Sequence, residues 1–288
     1  MTGPTQLDSY AQNTWCPGCG NFGILTALKG LIAALEEEGI PRQRIVLVSG
    51  IGCHAKIVDY LQLNTFYAIH GRTVPVATGI KLANPELTVI AHMGDGDGYG
   101  EGLEHLLFAA KRNVDITALV HDNGVYALTT GQTSPTSRRG FRGRSTPAGG
   151  VEQPFNPLEL ALAAGATFIA RDYSRGAERL KDTLRRAVLH KGFSLLDVLQ
   201  VCATFNNLYQ YYNERVFELK GHNEESRTDA LARMSEWTYG GDGRIALGVF
   251  YRDRQTTFEE QVVPSLQPGG VPVVDRQAAI AQILERRM

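Results

Sequence analysis

Short apolar runs of strand length alternate with helical patterns along the first 200 residues of the chain. The apolar runs lie at residues 45–49, 88–93, 116–121, 167–170 and 194–199. Apolar residues recur at helical spacing in the segments 22–38, 98–112 and 175–190. Strands this apolar, each separated by a helix, predict an α/β fold in which a parallel sheet has helices on both faces. Ligands of such sheets bind beyond the carboxyl ends of the strands.

The alternation is interrupted in two places. Residues 129–150 are rich in Gly, Ser, Thr, Pro and Arg and predict one long loop, a kind of segment that is usually functional or disordered. From residue 203 the chain is polar and aromatic with helical stretches, followed by a strand-like run at 245–251 and a short helix at 275–286. We therefore expect an α/β domain over residues 1–202 and an irregular extension over residues 203–288 that packs on the core or on a partner.

Composition excludes several classes of protein. Hydrophobic residues occupy 43% of the 288 positions, which is too many for a disordered chain. The 29 basic and 30 acidic residues give a net charge of −1, whereas a protein that coats nucleic acid is strongly basic. No apolar run has the length of a transmembrane helix, and the first residues do not resemble a secretory signal. We expect a cytoplasmic protein with reduced thiols and with neither membrane nor nucleic acid as a partner.

Two polar motifs directly follow neighbouring strands of the predicted sheet. The sequence GDGDG begins at Gly94, and DNGVY begins at Asp122, which places Asp95 28 positions before Asn123. One carboxylate and one amide oxygen, joined by a backbone carbonyl, suit Mg²⁺ that shares its ligands with a diphosphate. The glycines and the following helix N-terminus favour a close approach of phosphate. The alternative interpretation is two ordinary Gly/Asp turns.

The four cysteines of the chain predict a second site. Cys16 and Cys19 form a C-x-x-C pair within CPGCG, Cys53 ends the motif GIGC, and Cys202 lies far downstream. Four thiolates suit an iron–sulfur cluster or a tetrahedral zinc ion. The pairing of one C-x-x-C with two distant single cysteines is weak evidence for a zinc finger. Four buried cysteines that pack as small apolar residues remain the third interpretation.

Six motifs together carry a family resemblance: CPGCG, GIGC, HGR, GDGD, DNGVY and GQTSPT, in that order. Over about residues 10–210 the chain resembles the β subunit of the 2-oxoacid:ferredoxin oxidoreductases. The resemblance implies an enzyme that binds thiamine diphosphate, Mg²⁺ and one [4Fe–4S] cluster. It also implies a reversible oxidative decarboxylation of a 2-oxoacid, with the acyl group passed to coenzyme A and single electrons passed to ferredoxin.

The resemblance assigns roles to individual residues. Cys16, Cys19, Cys53 and Cys202 fall on the cluster ligands, and Asp95, Asn123 and the carbonyl of Val125 fall on the Mg²⁺ ligands. The segments that surround the cofactor contain Ile51, Gly52, Cys53, His54, His70, Gly71, Gly96, Asp97, Ala127 and Leu128. His70 and Arg72 are candidate catalytic residues, although a lone histidine is often structural and Arg72 could equally hold a carboxylate or pair locally. The chain departs from the family pattern at His54, where Ser is expected, and at Thr130, where some relatives carry Lys.

The resemblance further implies a separate α subunit that supplies the pyrimidine side of the cofactor site, the activating Glu and much of the substrate pocket. An αβ or (αβ)₂ assembly follows from it, and 2-oxoglutarate or a broad range of 2-oxoacids is the favoured substrate. Two alternatives remain: a non-oxidative thiamine diphosphate-dependent decarboxylase or synthase with a structural zinc, and an iron–sulfur electron-transfer scaffold. The loop arginines could contact coenzyme A phosphates, ferredoxin or a neighbouring subunit, or could be solvated; they are Arg138, Arg139, Arg142 and Arg144.

Overall fold

A single sheet of eight strands runs through the computed structural model, which describes residues 7–262 and Glu285. The strands are β1 (Ile45–Ser49), β2 (Asn64–Tyr67), β3 (Thr88–Gly94), β4 (Thr117–Asp122), β5 (Phe168–Tyr173), β6 (Ser194–Leu199), β7 (Val216–Glu218) and β8 (Ile245–Arg252). Their spatial order is β2-β1-β3-β4-β6-β5-β8-β7. The first six strands in this order are mutually parallel, which confirms the predicted fold class.

Helices cover both faces of the sheet. They are α1 (Asn21–Glu37), α2 (Thr73–Ala83), α3 (Leu103–Arg112), α4 (Pro157–Ala164), α5 (Ala177–Leu189), α6 (Tyr209–Arg215), α7 (Arg227–Met234) and α8 (Phe258–Val262). One core cluster contains the buried side chains of α1 and α5 against one face. The other contains those of α2, α3, α4 and α7 against the opposite face. Both core clusters include alternate residues of the central strands, as expected for a sheet that is buried on two sides.

The central strands form where the sequence is mostly apolar. All residues of β1, β4 and β6 are buried, so continuous apolar runs rather than alternating patterns mark them. Helix α4 begins because the Asn156 side chain accepts a hydrogen bond from the Leu158 amide and Pro157 occupies the first turn. It ends at Gly165, whose φ of 99° suits glycine.

Two predicted boundaries differ from the structure by more than two residues. The helix expected over 98–112 begins only at Leu103, because residues Gly96–Glu101 form a π-helical turn after β3. The strand expected at 167–170 extends to Tyr173. The predicted helix at 275–286 lies outside the described residues, apart from Glu285.

The loop and the C-terminal extension both pack against the sheet domain. Residues 129–150 contain no helix or regular strand, and Thr136 within them is buried against the end of the sheet. Strand β8 pairs with β5 in an antiparallel register and with β7 in a parallel one, so the extension adds two strands of reversed direction to the edge of the sheet. None of the helices among the described residues is long and apolar enough to cross a bilayer.

Candidate functional site

A cavity of about 310 Å³ opens at the carboxyl ends of β1, β3 and β4. Strand β1 lies between β2 and β3 in the sheet, so the chain passes from β1 to β2 on one side and then to β3 on the other. The cavity lies at this reversal of strand order, the usual ligand position in such sheets. The residues that line it are Ile51, Gly52, Cys53, His54, His70, Gly94, Asp95, Gly96, Asp97, Asn123, Val125, Tyr126, Ala127, Leu128 and Thr129. The structure thus brings together all the predicted cofactor-binding residues except Gly71.

Asp95 is a buried carboxylate at the end of β3. The backbone amide of Asn123 donates to Asp95 Oδ1 at 3.4 Å, and the Thr136 hydroxyl lies 3.1 Å from Asp95 Oδ2. Burial raises the pKa of Asp95 to about 6, although these hydrogen bonds oppose the rise. Within the described part of the chain, the pKa of Asp95 is set by burial and hydrogen bonds, and no cationic side chain is among its causes. A carboxylate that is desolvated in this way fits a bound cation.

Asn123 is held in one orientation by its two polar atoms. Its Oδ1 accepts a hydrogen bond from the Val125 amide at 3.1 Å, and its Nδ2 donates to Gln200 Oε1 at 2.9 Å. The amide oxygen keeps a second lone pair, and both Asn123 and Val125 line the cavity. Together with Asp95, the set provides one carboxylate, one amide oxygen and one backbone carbonyl, which are hard ligands suited to Mg²⁺.

The Asp97 carboxylate, unlike that of Asp95, contacts two loops of the protein. The Gly71 amide donates to Asp97 Oδ1 at 2.6 Å, and the Thr73 hydroxyl lies 3.4 Å from Oδ2. A side chain at Gly50 would collide with this carboxylate at 2.0 Å. Asp97 therefore ties the loops after β1 and β2 to the end of β3, and this explains why Gly71, which does not line the cavity, still matters to its shape.

The two candidate catalytic residues have different surroundings. His70 lines the cavity, with its Nε2 3.8 Å from Asp97 Oδ1. Arg72 does not line the cavity, and its guanidinium donates to the backbone carbonyls of Gly71 and Glu101, each at 3.2 Å. The geometry favours a local structural role for Arg72, and its catalytic role stays a prediction.

His54 lies at the edge of a group of buried imidazoles. Its ring centroid is 5.7 Å from that of His121, and His121 Nε2 is 3.2 Å from His92 Nδ1. Burial, with a smaller contribution from His54, lowers the pKa of His92 to about 3, and burial likewise lowers the pKa of His121. These two imidazoles are therefore neutral and belong to the core. The sequence does not predict the group, because isolated histidines in apolar strands carry no motif.

The four cysteines surround a second, smaller cavity of about 80 Å³. They come from three separate parts of the chain, and the cavity shares Cys53, Asn123 and Ala127 with the larger one. The remaining residues that line it are Thr14, Trp15, Asn21, Lys56, Gln200, Ala203, Thr204 and Phe205. The expected cluster site and the expected cofactor site are therefore adjacent.

Backbone hydrogen bonds bring the cysteine segments together. The Cys19 amide donates to the Cys16 carbonyl at 3.1 Å, and the Gly20 amide donates to the Val201 carbonyl at 3.0 Å. The Trp15 indole donates to the Cys53 carbonyl at 2.6 Å. Burial, with smaller contributions from the other three cysteines, raises the pKa of Cys19 to about 11. Four thiolates in this position would repel one another unless a cationic centre held them.

The four thiols do not converge on a single point. Within the described part of the chain, no three His, Cys, Asp or Glu side chains are arranged to hold one metal ion. Tetrahedral zinc needs all its sulfur ligands within about 2.3 Å of a single ion. A [4Fe–4S] cubane takes its cysteines at four separate corners and is compatible with thiols spread around a cavity.

The loop arginines divide into two groups. Arg138 stacks on the Tyr211 ring at 3.3 Å from its centroid, so it packs within the chain. The exposed ones are Arg139, Arg142 and Arg144. Thr130, at the position of the family's Lys, has a φ of 77° in the tight turn that follows the cavity.

Comparison with known proteins identifies the family. A family model described as "Thiamine pyrophosphate enzyme, C-terminal TPP binding domain" matches residues 50–198. A second model, which describes the C-terminal part of the pyruvate ferredoxin oxidoreductase beta chain, matches residues 202–266. The β subunit of a 2-oxoacid:ferredoxin oxidoreductase from Saccharolobus solfataricus is 40% identical over 272 residues, which are 89% of this chain and 87% of that protein.

Two further proteins support the same assignment. The 2-oxoglutarate oxidoreductase subunit KorB of Mycobacterium tuberculosis is 44% identical over 193 residues, covering 67% of this chain and 51% of that one. A structure of the 2-oxoglutarate:ferredoxin oxidoreductase from Magnetococcus marinus, with 2-oxoglutarate, coenzyme A and succinyl-CoA bound, superposes with a TM-score of 0.88. It is 32% identical and covers 98% of this chain and 96% of that chain. The chain therefore belongs to the β subunits of the 2-oxoacid:ferredoxin oxidoreductases, a family of oxidoreductases with a thiamine diphosphate-binding domain.

Proposed function

We propose that this chain binds thiamine diphosphate through Mg²⁺ in the larger cavity and one [4Fe–4S] cluster in the smaller one. Asp95, Asn123 and the Val125 carbonyl hold the Mg²⁺, and the four cysteines hold the cluster. The adjacency of the two cavities, which share Cys53, Asn123 and Ala127, is the observation that carries this proposal. When bound, thiamine diphosphate supplies the electron sink for decarboxylation of a 2-oxoacid.

The contribution of this chain is to orient the cofactor and to exclude water from it. Asp95 and Asn123 are both buried, so their metal-facing oxygens are fixed before the metal binds. Asp97 fixes the two loops on which His54 and His70 enter the cavity. His70 has the position and the polar nitrogens to contact substrate or cofactor.

The reaction is the reversible, coenzyme A-dependent oxidative decarboxylation of a 2-oxoacid, with single electrons leaving through the cluster to ferredoxin. The substrates bound in the Magnetococcus marinus enzyme favour 2-oxoglutarate. A second chain, the α subunit, fills out the site in an αβ or (αβ)₂ assembly, because the relatives are themselves β subunits. One exposed cysteine, Cys16, provides a route by which electrons reach the surface.

The two alternatives have less support. A non-oxidative decarboxylase with structural zinc requires cysteines that converge on one ion, and the described residues do not provide this arrangement. A scaffold that only carries electrons would not need a second cavity with hard oxygen ligands beside the cysteines.

Replacement of Cys53 by Ser tests the cluster. We expect Cys53→Ser, purified anaerobically, to lose most of its iron and its broad visible absorption, because one of four ligands is removed. Ala203→Ser is the matched control, since it adds a hydroxyl to the same cavity and keeps every thiol. Wild-type iron content and spectrum in Cys53→Ser would contradict the assignment, and a colourless zinc-containing wild type would favour the first alternative.

The reaction is tested on the assembly with the α subunit. We expect 2-oxoacid-dependent reduction of ferredoxin that requires coenzyme A, with 2-oxoglutarate among the best substrates of a panel that includes pyruvate and branched-chain 2-oxoacids. Decarboxylation without electron transfer would contradict the oxidative assignment.

A further inference from the structure

The side chain of Gln200 lies between the two expected sites and contacts both. Its Oε1 accepts a hydrogen bond from Asn123 Nδ2 at 2.9 Å, and its Nε2 lies 3.7 Å from Cys19 Sγ. The second hydrogen of Nε2 is directed to the Val201 carbonyl at 2.6 Å. Both hydrogens of Gln200 Nε2 therefore have acceptors. The side-chain amides of Gln200 and Asn123 can make these contacts only in the orientations seen in the structure.

Gln200 is also fixed in place. It is 2% exposed, and its backbone amide donates to the Asp122 carbonyl at 2.7 Å, which anchors it beside the end of β4. A side chain at Gly20 would come within 3.1 Å of Gln200 Cγ, so the cysteine loop packs directly on it. Few rotamers are open to a side chain enclosed in this way.

We infer that Gln200 is a positioning residue that couples occupancy of the Mg²⁺–diphosphate site to the reduction potential of the cysteine-bound cluster. This inference rests on the proposed function. A cation on Asn123 Oδ1 withdraws electron density from the amide and strengthens the bond from Nδ2 to Gln200. Gln200 Nε2 then becomes a stronger donor to Cys19 Sγ, because hydrogen bonds in a chain polarise one another. A stronger donor to a ligand sulfur stabilises the reduced cluster, which carries one more negative charge.

The coupling is reciprocal. If cofactor binding raises the potential of the cluster, then one-electron reduction of the cluster must raise the affinity for the cofactor by the same free energy. A tenfold change in affinity corresponds to about 59 mV for one electron. The direct electrostatic effect of the charged cofactor acts equally in wild type and variants, so the difference between their shifts isolates the contribution of Gln200.

The test compares the wild type with Gln200→Leu and Gln200→Glu in the full-length chain assembled with its α subunit. The cluster is titrated by electron paramagnetic resonance with and without Mg²⁺–thiamine diphosphate, and cofactor affinity is measured by calorimetry in both redox states. We expect cofactor binding to shift the reduction potential of the cluster to more positive values in the wild type than in either variant. Gln200→Glu keeps the acceptor for Asn123 and lacks the donor to Cys19, so it separates the two contacts.

Gln255→Leu is the matched control, because Gln255 is exposed and its side chain donates to Asp253, away from both cavities. An identical shift in wild type and in both Gln200 variants would overturn the inference while leaving the proposed function intact. A wild type that binds no iron or no thiamine diphosphate would overturn both. Retention of the wild-type shift in Gln200→Glu but not in Gln200→Leu would show that the donor to sulfur is not the coupling element.

Discussion

The Asp95 carboxylate is desolvated in the free protein, and the described groups that shift its pKa are hydrogen-bond donors rather than cations. Burial of a charge of this kind is costly, and a divalent cation with a diphosphate offsets the cost. If Asp95 holds Mg²⁺ as proposed, the same carboxylate destabilises the protein without cofactor and stabilises the protein with it. Removal of the charge should therefore stabilise the protein without cofactor and destabilise the protein with cofactor bound.

We expect Asp95→Asn without cofactor to be more stable than the wild type above pH 6, by about 1–3 kcal/mol. The pKa of Asp95 is about 6 in the folded chain, against 3.8 ordinarily, so wild-type stability from this group falls as pH rises through that window. Urea unfolding at pH 4 and pH 7.5 measures the difference. Binding of Mg²⁺–thiamine diphosphate should weaken at least tenfold in calorimetry.

The exposed Asp242→Asn is the control, and we expect it to change neither quantity. Wild-type cofactor affinity in Asp95→Asn would show that Asp95 is not a metal ligand.

The sequence predicts Asp95 and Asn123 because each follows a strand within a motif, and parallel strands bring their carboxyl ends to one edge. It does not predict Gln200, since a single glutamine before a cysteine has no motif and its role depends on contacts to distant segments. The HGR motif leaves both a carboxylate-binding role and local pairing open for Arg72, and in the structure its guanidinium donates to backbone carbonyls.

At the scale of elements, the start of the 129–150 loop supports the end of β3 that lines the larger cavity. The Thr136 hydroxyl lies 2.6 Å from Asp122 Oδ1 and 3.1 Å from Asp95 Oδ2, and the Ser137 hydroxyl donates to the Gly124 carbonyl at 2.6 Å. The loop thus connects the ends of β3 and β4 by side-chain bonds.

We expect Thr136→Val to destabilise the chain by about 1–3 kcal/mol, because two buried carboxyl groups lose a hydrogen-bond partner. Cofactor affinity should fall as well, because Asp95 is no longer held in place. Chemical denaturation and calorimetry measure the two effects. Thr146→Val, in the same loop but bonded to the Phe141 carbonyl, is the control, and an equal effect of both variants would contradict the special role of Thr136.

The turn between β2 and α2 depends on Gly71. Its φ is +72°, and an added Cβ would lie 2.7 Å from the Glu101 backbone. Gly39 has a comparable φ of +89° with open space around it, so Gly39→Ala incurs only the backbone strain of about 1–2 kcal/mol. We expect Gly71→Ala to lose at least twice as much stability in thermal unfolding, together with cofactor affinity. Equal losses of stability in the two variants would show that the Glu101 backbone moves away from the added methyl group at no cost in free energy.

Some elements carry a clear sequence signal and others do not. The bounds of β1 and β6 match the predicted runs because every residue in them is buried and all but Ser49, Ser194 and Asp197 are apolar. All four residues of β2 are exposed, so no apolar pattern marks this strand. Helix α2 contains Pro75 and Gly79, which lower helix propensity, and the proline is tolerated because it lies in the first turn.

At the scale of the whole molecule, apolar side chains remain exposed around the entrance to the larger cavity. Ile51 and Leu128 line it, and Phe66, Tyr67 and Ile69 are exposed in β2 and in the segment that leads from it to His70, with Ile69 77% exposed. A surface of this kind beside an open cofactor site fits an interface with the proposed α subunit.

We expect Ile69→Asp to weaken association with the α subunit at least tenfold and to abolish most activity, because a charge enters an apolar contact. The melting temperature of the isolated chain should not change. Leu231→Asp, on α7 and 46% exposed, is the control. Sedimentation and activity assays on the mixed subunits measure the effect, and undiminished association of Ile69→Asp would place the interface elsewhere. The isolated wild-type chain should have no 2-oxoacid oxidation activity.

The parallel sheet and its two covered faces follow from the alternation of apolar strands and helices. The reversed edge formed by β8 and β7 does not, because strand direction depends on how the polar extension returns along the sheet.

The bond from the Gly20 amide to the Val201 carbonyl has a consequence for biosynthesis. Its two partners are synthesised 181 residues apart, which a ribosome needs about 9–36 s to translate. During that interval the CPGCG loop has no strand end to dock on, and its thiols are open to oxidation and to foreign metals. If the four cysteines hold a [4Fe–4S] cluster as proposed, the complete set of ligands exists only after Cys202 has been synthesised, so a cluster bound to the N-terminal loop before then would lack a ligand.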